Sequence, residues 1–188
     1  MNLDYNVDSE NELKENFIQS FSNYLYEEKM KNQYSEIIFL CVGTDRIIGD
    51  CFGPLVGSKL KAKLEQYNIF NIFIYGTLKE NLCYTNIQDI VKLIEKEHKN
   101  ACIVVIDAAL SKKERIGKIF VDRGKTILGN GLNKKRVEVG SISIKAVVGK
   151  DYKIPNYNFT SLQNISLNVV VTLSNIVAEG ICEVIKYI

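Results

Sequence analysis

Two acidic residues hold the positions from which this sequence could do chemistry. Asp107 directly follows the apolar run Cys102-Ile103-Val104-Val105-Ile106. Asp50 lies in the loop Gly43-Thr44-Asp45-Arg46-Ile47-Ile48-Gly49-Asp50-Cys51-Phe52-Gly53-Pro54. A carboxylate at the end of a buried strand is costly unless it is paired or hydrogen-bonded. The plain alternative is structural, because aspartates anchor loops and are favoured near helix N-termini. If the two acids meet in one crevice, they cannot both ionise freely and one pKa rises. One acid could then act as general base on water while the other protonates a carbonyl or leaving group. The same oxygens could instead hold a divalent metal, and the residue types leave both cases open.

The neighbours of these acids complete the candidate list. Gly43, Thr44, Asp45 and Arg46 open the first loop, and Gly49 and Gly53 allow tight turns and close backbone approach. An arginine beside two aspartates either orients a substrate by bidentate bonding or fixes the loop as a salt bridge. Thr77 lies in the second loop, Gly76-Thr77-Leu78-Lys79-Glu80-Asn81, and Cys83 follows closely. Cys51 and Cys83 raise the question of a thiol nucleophile, which needs an adjacent base, usually histidine. His98 is the sole histidine and sits in the charged run Glu95-Lys96-Glu97-His98-Lys99. A Cys–His pair is therefore disfavoured, and chemistry needing two histidines within one chain is excluded. No GxGxxG or GxxxxGK[ST] pattern is present, so the first loop does not read as a nucleotide cradle.

The elements that must position these residues follow from hydrophobic periodicity. Leu13, Phe17, Phe21, Tyr24 and Leu25 give an amphipathic helix over Glu10–Lys31, with Ser9 as its N-cap. Ile37–Val42 is a continuous apolar run suited to a strand buried on both faces. Pro54 opens a helix carrying Leu55, Val56, Leu60 and Leu64. Strands are expected over Ile69–Tyr75, Cys102–Ile106, Ile116–Val121 and Ser141–Val147, and a helix over Asn86–Lys99. One long helix, bent near Gly180, is expected over Ser161–Ile188. Alternation of this kind implies one α/β domain, a three-layer sandwich around a mostly parallel sheet with right-handed crossovers. Ligands of such sheets lie outside the carboxyl ends of the strands, where the strand order reverses.

Composition removes several classes. The 188 residues carry 24 basic and 22 acidic side chains, a net charge of +2, so no footprint for nucleic acid or an anionic membrane is expected. The basic run Lys134-Lys135-Arg136 is too short to read as anything but a solvated loop. No stretch resembles a membrane span of ~18 apolar residues, and Met1–Glu10 lacks the basic start of a signal peptide. Five cysteines without CxxC spacing fit reduced thiols in the cytoplasm. Nothing here fixes an oligomeric state.

The segment Val42–Gly57 resembles the signature of the YyaC sporulation protein family. So do Tyr75-Gly76-Thr77-Leu78, Val105-Ile106-Asp107-Ala108, Asn130-Gly131-Leu132-Asn133-Lys134-Lys135, Val139–Ile144 and Leu162-Gln163-Asn164. That family is similar to the protease that degrades small acid-soluble proteins at spore germination, and shares a fold with hydrogenase maturation endopeptidases. The resemblance implies a phosphorylase/hydrolase-like fold and an atypical aspartic pair, one acid in Asp50-Cys51-Phe52-Gly53-Pro54 and the other in Ile106-Asp107-Ala108. It implies a cytoplasmic peptidase of the mother cell or forespore, acting on a peptide or protein substrate without a cofactor. Arg46 and the amides near Gly43 and Thr44 would help to hold that substrate. Two alternatives accompany this expectation: a non-catalytic binding or regulatory module with a protease-like fold, and a metal-dependent endopeptidase. In the maturation endopeptidases the two corresponding acids help to bind nickel together with a histidine. Here Cys83 stands where the family usually has histidine, Tyr84 replaces a small residue, Asn81 a proline and Ser141 an aspartate. The nickel reading suffers most from these departures.

Overall fold

A computed structural model describes residues 7–66, 71–128 and 137–186, with side chains from residue 9. The motif residues 130–135 and the basic run 134–136 lie outside the described residues. The elements are α1 (Val7–Asn32), β1 (Glu36–Cys41), a 3₁₀ turn (Ile48–Cys51), α2 (Phe52–Leu64), β2 (Ile72–Tyr75), α3 (Ile87–Glu97) and β3 (Ala101–Ser111). They continue with a second short turn (Lys113–Arg115), β4 (Ile119–Arg123), β5 (Thr126–Leu128), β6 (Val137–Val139), β7 (Ile142–Lys150), α4 (Pro155–Gln163) and α5 (Leu167–Ile185).

The main sheet has the order β2-β1-β3-β7-β4. The first four strands are parallel and β4 runs antiparallel at one edge. Alternation of side chains across the strands feeds two cores. Phe39, Cys41, Val104, Ile106, Ile142, Ile144 and Ala146 face α1, α2 and α5. Ile38, Leu40 and Val105 face α3 and the small β5–β6 hairpin. Strands buried on both faces need apolar residues at every position, which is why β1 reads as an unbroken apolar run.

Several boundaries depart from the sequence reading. α1 begins at Val7, so Ser9 lies inside the helix rather than capping it. Pro54 occupies the first turn of α2 but not its first position, because the 3₁₀ turn leads directly into the helix. The single helix expected over 161–188 is two helices. Asn164 ends α4 in a non-helical conformation with its side-chain N–H on the Thr160 carbonyl, and Ser166 is extended before α5. Gly180 is a packing glycine, whose missing Cβ would come within 2.7 Å of the Phe17 ring. α5 is long and apolar enough by composition to cross a membrane, yet two thirds of it is buried inside the protein against α1 and α2.

The most consequential difference concerns β3. The strand does not stop at Asp107 but runs on to Ser111, because β7 supplies hydrogen-bonding partners as far as Lys150. β1 stops at Cys41, opposite Ile106. Asp107 therefore stands in mid-strand, on the first rung that β1 has left open.

Candidate active site

The crevice forms where the crossovers diverge. From β1 the chain passes through α2 to β2 on one side, then through α3 to β3 on the other. The connection leaving β1 thus runs toward β2 and the connection leaving β3 runs toward β4 and β7, so the strand order reverses between the carboxyl ends of β1 and β3, the place at which doubly wound sheets bind ligands. Val42 makes the last contact on both sides. Its N–H donates to the Ile106 carbonyl at 2.8 Å, and it bridges to Leu82.

Beyond Val42 the loop folds back on itself. Gly43 takes φ +139°, and a Cβ there would lie 2.0 Å from the Asp50 carbonyl oxygen. No other residue fits that turn. The fold-back puts the Thr44 N–H 3.0 Å from Asp50 Oδ2 and 3.2 Å from its carbonyl. The Asp50 carboxylate is thereby aimed at the carboxyl end of β1, next to the rung occupied by Asp107.

The two acids feel each other. Burial raises the Asp107 carboxyl to about 7, and the negative charge of Asp50 adds to the rise. The Ala108 N–H and the Lys145 ammonium oppose it. Burial also raises Asp50, while the Thr44 N–H stabilises its ionised form. The negative charge of one acid opposes ionisation of the other, and that repulsion adds to the rise at Asp107. Both residues are partly buried.

The other predicted residues are distributed around this pair. The Gly43 N–H donates to the Leu82 carbonyl at 2.8 Å and the Thr44 N–H to Asp50, so neither amide is left for a substrate. Asp45 is exposed and accepts 2.7 Å from Asn81 Nδ2. That bond ties the first loop to the second, and the proline usual at position 81 could not make it. The Arg46 side chain is exposed, and among the described residues its guanidinium caps neither acid. Thr77 is 6% exposed, and its hydroxyl accepts the Glu80 N–H at 3.1 Å. It builds the second loop from inside. The Cys83 sulfur lies 3.1 Å from Thr85 Oγ1, on a loop pinned by Asn86. Burial raises the Cys51 thiol, and Asp45 and Asp50 raise it further, which disarms it as a nucleophile.

His98 belongs to the other end of the molecule. Its Nδ1 is 2.8 Å from Glu36 Oε2 and its Nε2 is 3.0 Å from Tyr75 Oη. Glu36 opens β1, roughly 20 Å along the sheet from Asp107 at ~3.3 Å per residue. Ser141 also lies toward the amino edge, hydrogen-bonded to Tyr34, so the aspartate lost there does not bear on the crevice. His98→Ala is expected to leave any cleavage activity unchanged and to lower stability by roughly 1–3 kcal/mol, from stranding a buried hydrogen-bonding network. Urea unfolding beside an activity assay checks both halves.

Among the described residues, no three His, Cys, Asp or Glu side chains gather closely enough to hold a metal ion. Two carboxylates alone do not make the donor set that nickel takes in the presence of a histidine, and His98 is at the wrong edge. Sequence reasoning missed Lys145, the register partner of Asp107 on β7. Its only sequence signal is a lysine between apolar residues in the middle of a mostly apolar strand.

The fold is that of a doubly wound α/β protein, with Asp50 and Asp107 near the point where its strand order reverses. The chain matches, over residues 9–180, the model of a family described as "Protein of unknown function (DUF1256)", and it belongs to that family. It is 35% identical over 145 residues to a Bacillus subtilis (strain 168) protein called "Uncharacterized protein YyaC", a match covering 77% of this chain and 67% of that one. Among solved structures it is similar to the NiFe hydrogenase maturation protease HycI from Thermococcus kodakarensis KOD1, with 17% identity and a TM-score of 0.47 over 79% of this chain and 94% of that one. The maturation protease HybD from Thermococcus kodakarensis gives 14% identity and a TM-score of 0.39 over 78% and 98% of the two chains.

Proposed function

We propose that this protein is a peptidase of spore formation that hydrolyses peptide bonds with Asp50 and Asp107. The observation that carries the reading is the unequal pair. Burial raises both carboxyls, but the Thr44 N–H opposes the rise at Asp50, whereas the charge of Asp50 adds to the rise at Asp107 and takes it to about 7. Paired titratable groups whose environments push their pKa values apart are the mark of acid–base assignments. In this scheme the Asp50 carboxylate takes a proton from water as the oxygen attacks the scissile carbonyl. Neutral Asp107 donates its proton to the carbonyl oxygen, giving a neutral tetrahedral diol. Collapse of the diol returns a proton to Asp107, and the proton held on Asp50 passes to the departing amine. Arg46, exposed at the rim, supplies a guanidinium for substrate carbonyls or carboxylates. Both acids are only partly buried and Arg46 caps neither, which favours hydrolysis over a purely structural pair.

The scheme predicts a pH profile. Asp107 must hold its proton and Asp50 must have lost its own. Cleavage is expected to be greatest in mildly acidic solution and to fall on the alkaline side with a midpoint near 7, set by Asp107. A profile still rising above pH 8 would contradict the assignment. The direct test incubates the protein with small acid-soluble spore proteins and follows their intact mass, wild type beside Asp50→Asn. Substrate that stays whole with both proteins would favour a binding or regulatory role instead.

A further inference from the structure

We propose that Lys145 is a positioning residue of the candidate site, a cation placed between Asp107 and Asp122 that weakens the hold of Asp107 on its proton. The inference deepens the peptidase reading and rests on it for its functional meaning, but its geometry stands apart from any activity.

Lys145 and Asp107 are register partners on adjacent parallel strands, so their side chains leave the same face of the sheet about 4.8 Å apart at the backbone. That is the face on which β1 has ended and left Asp107 uncovered. On the other flank Lys145 faces Phe120 of β4, and Asp122 sits diagonally from it, opposite Ser143. Lys145 Nζ reaches Asp122 at 3.9 Å, the outer limit of an ion pair, with the two side chains 37% and 60% exposed. A pair so exposed and so loose is worth little. Asp107 is the more deeply placed acid, in a setting where a charge interacts more strongly.

The consequence is a division of one ammonium between two acids. While Asp107 is neutral, only Asp122 attracts Lys145 with a full charge. When Asp107 ionises, the ammonium has a second and less screened partner one rung away. The charged and titratable groups around Asp107 are few. The turn before α2 brings Asp50, β7 brings Lys145, and β4 brings Asp122 behind it. The loop paired with Val42 brings the Cys83 thiol, and β1 brings no charge at that end. Among the described residues Lys145 is the cation that acts on Asp107.

The test is a carbon-13 NMR titration of the Asp107 carboxyl, identified by its loss in Asp107→Asn. Lys145→Met is expected to move the midpoint up, by less than the ~1 unit that an opposite charge in close contact contributes. Asp122→Asn should move it down, because the ammonium then has no competing partner. Lys145→Arg should hold it near the wild-type value. Midpoints unchanged in both charge-removing variants, or moved in the same direction, overturn the inference. If Lys145→Met does not fold, the downward shift in Asp122→Asn decides alone. Shifts as expected with spore proteins left whole by every variant would sink the hydrolytic reading and keep the role of Lys145. Cleavage without the shifts would do the reverse.

Discussion

Asp107→Asn is expected to remove peptide cleavage, by a factor of 10² to 10⁴ as for other positioned acid–base groups, and at the same time to stabilise the protein above neutral pH. The two effects share one cause. In the native state Asp107 keeps its proton to about pH 7, while in the unfolded chain it would release it near the ordinary value of 3.8. Between those limits the native protein binds more protons than the unfolded one, so stability is full below about pH 4 and declines as pH rises through 7. At about 1.4 kcal/mol per unit of difference, the loss amounts to a few kcal/mol. An amide cannot ionise, so the variant escapes that loss. Urea unfolding at pH 5 and pH 8 should show a gap between wild type and variant that is wider at pH 8. Asp50→Asn should also lose cleavage, but through loss of the base and of the bond to the Thr44 N–H. An Asp107→Asn protein that cleaves normally would end the catalytic assignment.

The second large effect concerns a residue without a side chain. In the first turn of α2, replacing glycine by alanine ordinarily adds roughly 0.5–1 kcal/mol of stability. At Gly53 the sign should reverse. A Cβ there would stand 2.1 Å from the Val42 carbonyl oxygen and 2.9 Å from the Val42 backbone nitrogen. Every one of those atoms belongs to backbone, and none can swing aside. Relief requires α2 to move away from the end of β1. Gly53→Ala is expected to cost more than 3 kcal/mol, comparable with the larger core disruptions, and to lower the melting temperature by about 10 °C. Calorimetry checks the size. The displacement should also carry Asp50 away from Asp107, so residual activity should fall by more than the loss of folded protein explains. A variant as stable as wild type would mean that the helix does not approach the strand this closely.

How much of this could be read from the chain is clearest at β1 and β3. Ile37–Val42 and Cys102–Ile106 are apolar at every position, and only strands covered on both faces need that, so a buried parallel sheet was legible. Asp50 and Asp107 stood out for a related reason, as acids placed directly beside such runs. The end of β3 was not legible. Nothing in Asp107-Ala108-Ala109-Leu110-Ser111 says that the strand continues; its hydrogen-bonding partners come from β7, some forty residues later. The β5–β6 hairpin escaped notice too, since three-residue strands are too short to show a period. Thr77 and Thr44 look alike as polar loop residues, yet the first is closed inside its own turn and the second points its N–H at Asp50.

By itself the sequence determined the fold class, and it singled out the two acids and the loop that carries Asp50, because hydrophobic period and the cost of burying a charge act locally. Only the tertiary structure decided that Asp107 stands inside a strand, that His98 is remote from it, and that Lys145 is its neighbour. Those facts depend on which strands pair and where each pairing stops, and hydrogen bonds between distant stretches of chain leave no local mark on either partner.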